Sequence, residues 1–191
     1  MTQPRKSTAA SATTDGEALV ALAGGEIGAL GVIYDRHRAS VFQFVARALG
    51  NPADVEDVVH ATFMTAAKAS ASFDGRETCR PWLIGIAARL VHRRRRSLFR
   101  LGRALGELTF HETHRVVDPV RQLGARDQVA QVARALQKLS AAKRLVLLLT
   151  EVEGLSCQDV AAALEIPIGT VWTRLHHARK ELQLRLQEDD A

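Results

Sequence analysis

Residues 154–182 read GLSCQDVAAALEIPIGTVWTRLHHARKEL, and this stretch carries the architecture of the chain. Gly154 suits a left-handed helix terminator. Ser156 followed by Asp159 has the spacing of a capping box, opening a short helix through Leu164. Pro167 and Gly169 interrupt it before a longer helix from Thr170 to about Leu186. Val160, Ala161 and Leu164 fall on one face of the first helix, and Val171, Leu175, Ala178 and Leu182 on one face of the second. Two helices joined by a tight turn with a small residue at the bend make a helix-turn-helix. Trp172, Thr173, His176, His177, Arg179 and Lys180 lie on accessible faces of the second helix. Thr170, Trp172, Thr173, Arg174, His176, His177 and Arg179 are therefore its candidates for contact with DNA, since such a helix enters the major groove by its N-terminal turns. A plain αα-hairpin with a solvated polar face would give the same spacing.

Upstream, helical spacing covers Val129, Val132, Ala133, Leu136 and Leu139. A further helix starts near Ser140, carries the run from Leu145 to Leu149 and stops at Gly154. Residues 98–120 contain glycines, scattered charges and Pro119 without a sustained period, which predicts a linker. Before it, Leu30, Ile33, Tyr34, Val41, Phe44, Val45 and Ala48 recur at helical spacing. After a break at Gly50, Asn51 and Pro52, a helix from Asp54 carries the apolar stripe Val55, Val58, Val59, Phe63 and Ala67. Pro81, suited to a first helical turn, leads a third strong helix from Trp82 to about Arg96. The expected class is all-α: a disordered tail (1–16), an N-terminal helical domain (17–97), a linker (98–120) and a C-terminal helix-turn-helix domain (121–187).

Charge is segregated along the 191 residues, which carry a net +5. Between residues 78 and 106 stand eight arginines and no carboxylate. Asp54, Glu56, Asp57, Asp74 and Glu77 crowd the stretch before them. A carboxylate-free basic helix points to phosphate, although the run Arg93 to Arg96 covers every side of a helix and also fits a solvated, dipole-favoured C-terminus. Chemistry is hard to find. His111-Glu112-Thr113-His114 misses the HExxH zinc spacing by one residue, and Cys79 and Cys157 have neither metal-ligand spacing nor a dyad partner. No glycine loop could cradle a phosphate. No cofactor, no metal and no catalytic residue is expected. The polar start lacks a signal peptide's apolar core, and no run reaches the ~20 apolar residues of a membrane span, so the expected location is the cytoplasm.

Three blocks together resemble the extracytoplasmic-function (ECF) group of bacterial sigma factors, over about residues 27–186. NPADVEDVVHATFMTAA (51–67) is similar to the family's helix that docks on the polymerase clamp. FDGRETCRPWLIGIAARLVHRRRR (73–96) looks like the loop and helix that melt and read the minus-10 promoter element. LSAAKRLVLLLTEVEGLSCQDVAAALEIPIGTVWTRLHHARKEL (139–182) is similar to the region that reads the minus-35 element. The resemblance implies a non-enzymatic subunit that confers promoter specificity on core RNA polymerase and assists promoter opening. Its implied contacts are Asp54, Glu56, Asp57 and His60 for the polymerase; Arg76, Arg80, Trp82, Arg89, Arg93 and Arg94 for the melted minus-10 strand; and the seven α-helical candidates above for minus-35 duplex. It also implies control by an anti-sigma factor. The chain ends soon after the helix-turn-helix, which predicts no further C-terminal domain.

The sequence departs from the family's pattern in places. His60-Ala61 stands where Gln-Glu is common, Ile86-Ala87-Ala88-Arg89 where Ile-Ala-Arg-Asn is usual, and Trp172 and His177 where long cations are frequent. Two other classes fit the basic charge. A helix-turn-helix regulator acting without polymerase would gain little from the acidic helix after Asp54. A basic nuclease would need carboxylates or histidines beside the arginines.

Overall fold

The computed structural model describes residues 14–49, 54–75, 77–104 and 125–189. Among the described residues every regular element is helical. The range expected as a tail (1–16) overlaps a helix at its end, since Thr14 caps α1 (Asp15–Ala23). The Thr14 hydroxyl accepts the Glu17 N–H at 3.2 Å while Glu17 accepts the Thr14 N–H at 2.7 Å, a reciprocal capping box. The rest of the tail lies outside the described residues. Gly25, at φ +96°, then turns the chain, so the helical spacing before residue 50 divides into α1 and α2 (Gly28–Leu49).

In the N-terminal unit α2, α3 (Val55–Ala69) and α4 (Arg80–Ala104) pack on one another, with α1 across α2. A short 3₁₀ turn, Ser70–Ser72, ends the α3 segment. Ile33, Val41, Phe44, Val45, Val59, Phe63, Leu83, Ile84 and Val91 are buried at the centre, each worth about 1.5–3 kcal/mol relative to exposure. α4 runs on to Ala104, past the expected linker boundary at residue 98.

The C-terminal unit comprises α5 (Ala125–Lys138), α6 (Ala141–Leu147), α7 (Cys157–Leu164) and α8 (Ile168–Asp189). Between α6 and α7 the helix widens into a π-turn, Leu148–Val152, in which the Glu153 N–H reaches back five residues to the Leu148 carbonyl at 3.0 Å. Gly154, at φ +71°, ends it, as a left-handed terminator does. Arg144 is fully buried. Its guanidinium donates to the Leu139 carbonyl at 3.1 Å, to the Gln137 carbonyl at 3.3 Å and to the Gln137 side chain, closing the end of α5. Burial pulls its pKa down to about 10.

The bend between α7 and α8 differs from expectation in one respect. Its left-handed residue is Glu165, at φ 56°, not a small one; the Ile166 N–H, bonded to Ala161 O at 3.1 Å, holds it there. The two units share a continuous apolar cluster, with α4 packed on α7 and α2 on α6.

Candidate nucleic-acid interface

α8 presents its polar side as the helical spacing requires. Val171, Leu175 and Ala178 are buried, whereas Trp172, Thr173, His176, His177, Arg179 and Lys180 are exposed. Trp172 is 57% exposed, so it does not pack into the neighbouring helix. The His176 and His177 rings lie edge to face at 5.6 Å, and the Thr173 hydroxyl is turned back to Gly169 O at 2.9 Å. Thr170 and Arg174 are half-buried. Arg179 donates through Nε to Glu151 on the π-turn at 3.0 Å. It therefore ties α8 to the π-turn that follows α6.

On α4 five arginines are already engaged or stand beside a carboxylate. Arg80 donates through Nε to Ser40 Oγ at 2.8 Å and through Nη2 to Glu153, whose side chain is almost fully buried. Arg93 meets Glu165 at 3.1 Å, and Arg89 stands 4.0 Å from the same carboxylate. Arg94 bonds Asp54 at 2.6 Å. Within the run Arg93 to Arg96, Arg95 turns inward and donates to the Ala48 carbonyl at 3.0 Å. Burial, and then the charge of Arg144, lower its pKa to about 10. His92 is held below its ordinary value by burial, then by Arg96 and Arg174, with Glu165 opposing. Trp82 packs edge to face on Phe73 at 5.5 Å between centroids. Arg76 lies outside the described residues.

The acidic helix α3 divides its charges. Asp54 faces Arg94, and Glu56 pairs with Arg38 at 2.9 Å. Asp57 and His60 are exposed, and His60 borders an apolar groove with Leu30, Tyr34, Phe63 and Met64.

Sequence reasoning missed one polar centre. Asp15, 4% exposed, accepts the Cys79 N–H at 2.8 Å and the Thr78 hydroxyl at 3.2 Å, with His37 Nε2 at 2.7 Å and Arg36 also bound. Burial alone would raise its pKa, but the Cys79 N–H, Arg36 and His37 outweigh that and hold the carboxyl far below the usual range. An ionised carboxylate only accepts, so Nε2 of His37 carries the proton. The T-x-x-E pattern of Thr14 and Glu17 marks a helix start, and with it the depth of Asp15 could have been suspected. Ligand atoms of Asp15, His37 and Cys79 lie within 4.8 Å of one another. Yet the carboxylate is taken up by donors, and burial followed by the Asp15 charge pushes the Cys79 thiol up to about 12. The cluster thus reads as a hydrogen-bonded hub. Cys157 is half-buried and free; the His111–His114 motif lies outside the described residues. Among the described residues no helix is long and apolar enough to cross a membrane.

Comparison with known proteins supplies the identity behind this geometry. Residues 33–100 match the family Sigma-70 region 2, and residues 130–182 match Sigma-70, region 4. The chain is 32% identical over 167 residues to the ECF RNA polymerase sigma factor SigL of Mycobacterium tuberculosis, covering 87% of this chain and 93% of the relative. It is 34% identical to the RNA polymerase sigma factor CnrH of Cupriavidus metallidurans, covering 87% and 91%. Among solved structures it is similar to the sigma factor RpoE in complex with the anti-sigma factor NepR from Bartonella quintana. There the TM-score is 0.63 at 26% identity, with 81% of this chain and 94% of the other covered. CnrH in complex with the cytosolic domain of CnrY gives a TM-score of 0.59 at 30% identity, covering 92% and 98%. The chain belongs to the extracytoplasmic-function group of sigma factors, the non-enzymatic subunits that give bacterial RNA polymerase its promoter specificity.

Proposed function

We propose that the two units divide promoter reading between them. The C-terminal unit lays α8 in the major groove of the minus-35 element, and the N-terminal unit opens and reads the minus-10 element around Phe73, Arg80 and Trp82. The observation that carries this reading is the exposed row Trp172, Thr173, His176 and His177 on a helix held by a tight turn. Such a row is what groove recognition needs. At the other end, Phe73 and Trp82 form an aromatic pair beside Arg80, and aromatic faces suit an unstacked base. Basic residues position the nucleic acid, and a few side chains choose the sequence.

Polymerase docking falls to α3. Asp57 and His60 are exposed there and meet the polymerase directly, while Asp54 and Glu56 exchange their partners Arg94 and Arg38 for it. Charge reversal at Asp57 should weaken core binding at unchanged helicity. The similar sigma factor RpoE was solved with the anti-sigma factor NepR, and an anti-sigma factor acting in the cytoplasm is part of the same reading.

Run-off transcription with core polymerase tests the division. Trp172→Ala should lower the response to a changed minus-35 element and spare the minus-10 response; Trp82→Ala should do the reverse. If both variants lose both responses equally, the division is wrong.

A further inference from the structure

The residues that open α4 are anchored from a distant part of the chain. α4 has no acidic side chain in its first turn, although a carboxylate there would stabilise it. Cys79 precedes the helix, and its carbonyl accepts the Leu83 N–H at 2.9 Å. Its own N–H is the group that a capping-box glutamate would normally take. Here Asp15, 64 residues away, takes it at 2.8 Å. Thr78 extends the same link: its hydroxyl accepts the Arg80 N–H at 3.3 Å and donates to Asp15 at 3.2 Å.

Asp15 is itself held on several sides. It sits in the first turn of α1, where the helix dipole favours an anion, and it is bound by Arg36 and His37 of α2. One buried carboxylate thus ties α1, α2 and the stem of α4 together. At the other end of the same segment Phe73 leans on Trp82. Phe73 and Trp82 are thus joined by an aromatic contact, and Thr78 and Cys79 are fixed by Asp15.

We propose that Asp15 is a positioning residue for minus-10 recognition: through Thr78 and Cys79 it sets the angle at which α4 starts, and so where Arg80 and Trp82 meet the melted strand. This rests on the assignment of that segment to the minus-10 element. Asn at position 15 would face the same donors with a weaker acceptor and an amide NH₂, which cannot accept, so the stem loosens while the apolar core stays. Asp15 touches no DNA in this account; it acts on selectivity through its neighbours.

The test uses the full chain reconstituted with core polymerase, transcribing a promoter with an intact minus-10 element and one with a substituted minus-10 base. For Asp15→Asn the ratio of the two rates should fall by about tenfold, the size of one good base contact, with core affinity unchanged. Thr78→Val, which removes only the relay, should lower the ratio by a smaller factor and decides the matter if Asp15→Asn does not fold. A merely structural role lowers both rates together and leaves the ratio intact, and that result overturns the proposal. Trp82→Ala separates the two levels. If it collapses the ratio while Asp15→Asn and Thr78→Val do not, the positioning role alone falls. If Trp82→Ala also leaves the ratio unchanged, the minus-10 assignment falls and takes the proposal with it.

Discussion

α4 and α8 are both basic helices, but they present different side chains to solvent. Four arginines of α4 meet the protein's own acceptors: Arg80 with Glu153, Arg93 with Glu165, Arg94 with Asp54 and Arg95 with the Ala48 carbonyl. α8 shows Trp172, Thr173, His176 and His177 to solvent, and its Arg179 is tied to Glu151. A helix of the second kind can meet a duplex as it stands. Those four arginines of α4 must exchange partners before phosphate can bind them. For Arg93 the exchange is cheap, because both partners are well exposed and such pairs contribute about 0–1 kcal/mol. For Arg80 it leaves the buried Glu153 carboxylate uncompensated, which is much more costly. The number of arginines in a run is thus a poor guide to the number of phosphate contacts.

The comparison breaks most visibly if a cation assigned to the fold is removed. Arg144→Ala leaves the buried carbonyl of Leu139 and the half-buried one of Gln137 without their donor, so urea unfolding of the full chain should show a loss on the order of 3 kcal/mol. A change within experimental error would mean that the buried guanidinium is dispensable.

The next effect sharpens the α8 side. Trp172 offers one donor and a large apolar face suited to a thymine methyl, where a long cation would bond guanine bidentately. Trp172→Arg with His177→Arg should shift the preferred minus-35 sequence, with about 1–3 kcal/mol at stake per bidentate contact. Selection from a randomised minus-35 library gives the answer, and identical winners for both proteins would remove Trp172 and His177 from base recognition.

Within α4 the run itself can be divided. Replacing Arg93 and Arg94 by Ala should reduce the log–log salt slope of promoter binding by about 0.9 per contact on duplex, or about 0.7 on single strands. Arg95→Ala should leave the slope unchanged and instead destabilise the N-terminal unit by about 2 kcal/mol, the worth of a hydrogen bond from a charged donor. Equal slopes for all three single variants would erase the distinction between inward and outward arginines. The smallest effect belongs to Glu165→Gln, which frees Arg89 and Arg93 from an exposed carboxylate. DNA affinity should rise by less than about fivefold, as a surface pair allows, and a fall would show that Glu165 helps rather than competes.

Legibility followed distance along the chain. The α7–α8 motif could be read because its signals are local: Ser156 capping, the 3.6-residue spacing of Val171, Leu175 and Ala178, and the terminator Gly154 all act within a few residues. Val129 and Val132 matched the same spacing yet are exposed, while Ala135 and Leu139 are buried; spacing shows which residues share a face, not what covers it. Asp15, Glu153 and Glu165 went unnoticed because their partners lie 64, 73 and 72 residues away. The π-turn was hidden for another reason. The run from Leu145 to Leu149 is buried throughout, and a stretch apolar on all sides carries no phase in which an extra residue would register.

That turn makes local chain length a structural variable. Leu148–Val152 closes on hydrogen bonds five residues long, and the next one, from Leu155 N–H to Leu149 O, spans six. An α-helix advances by about 100° per residue. Losing one residue here would restore ordinary helical winding and swing Glu151 and Glu153 away from Arg179 and Arg80, although no side chain had changed in kind. A single-codon deletion at this place would therefore alter how the π-turn meets α4 and α8, and would leave in a pairwise comparison no more than a one-column gap.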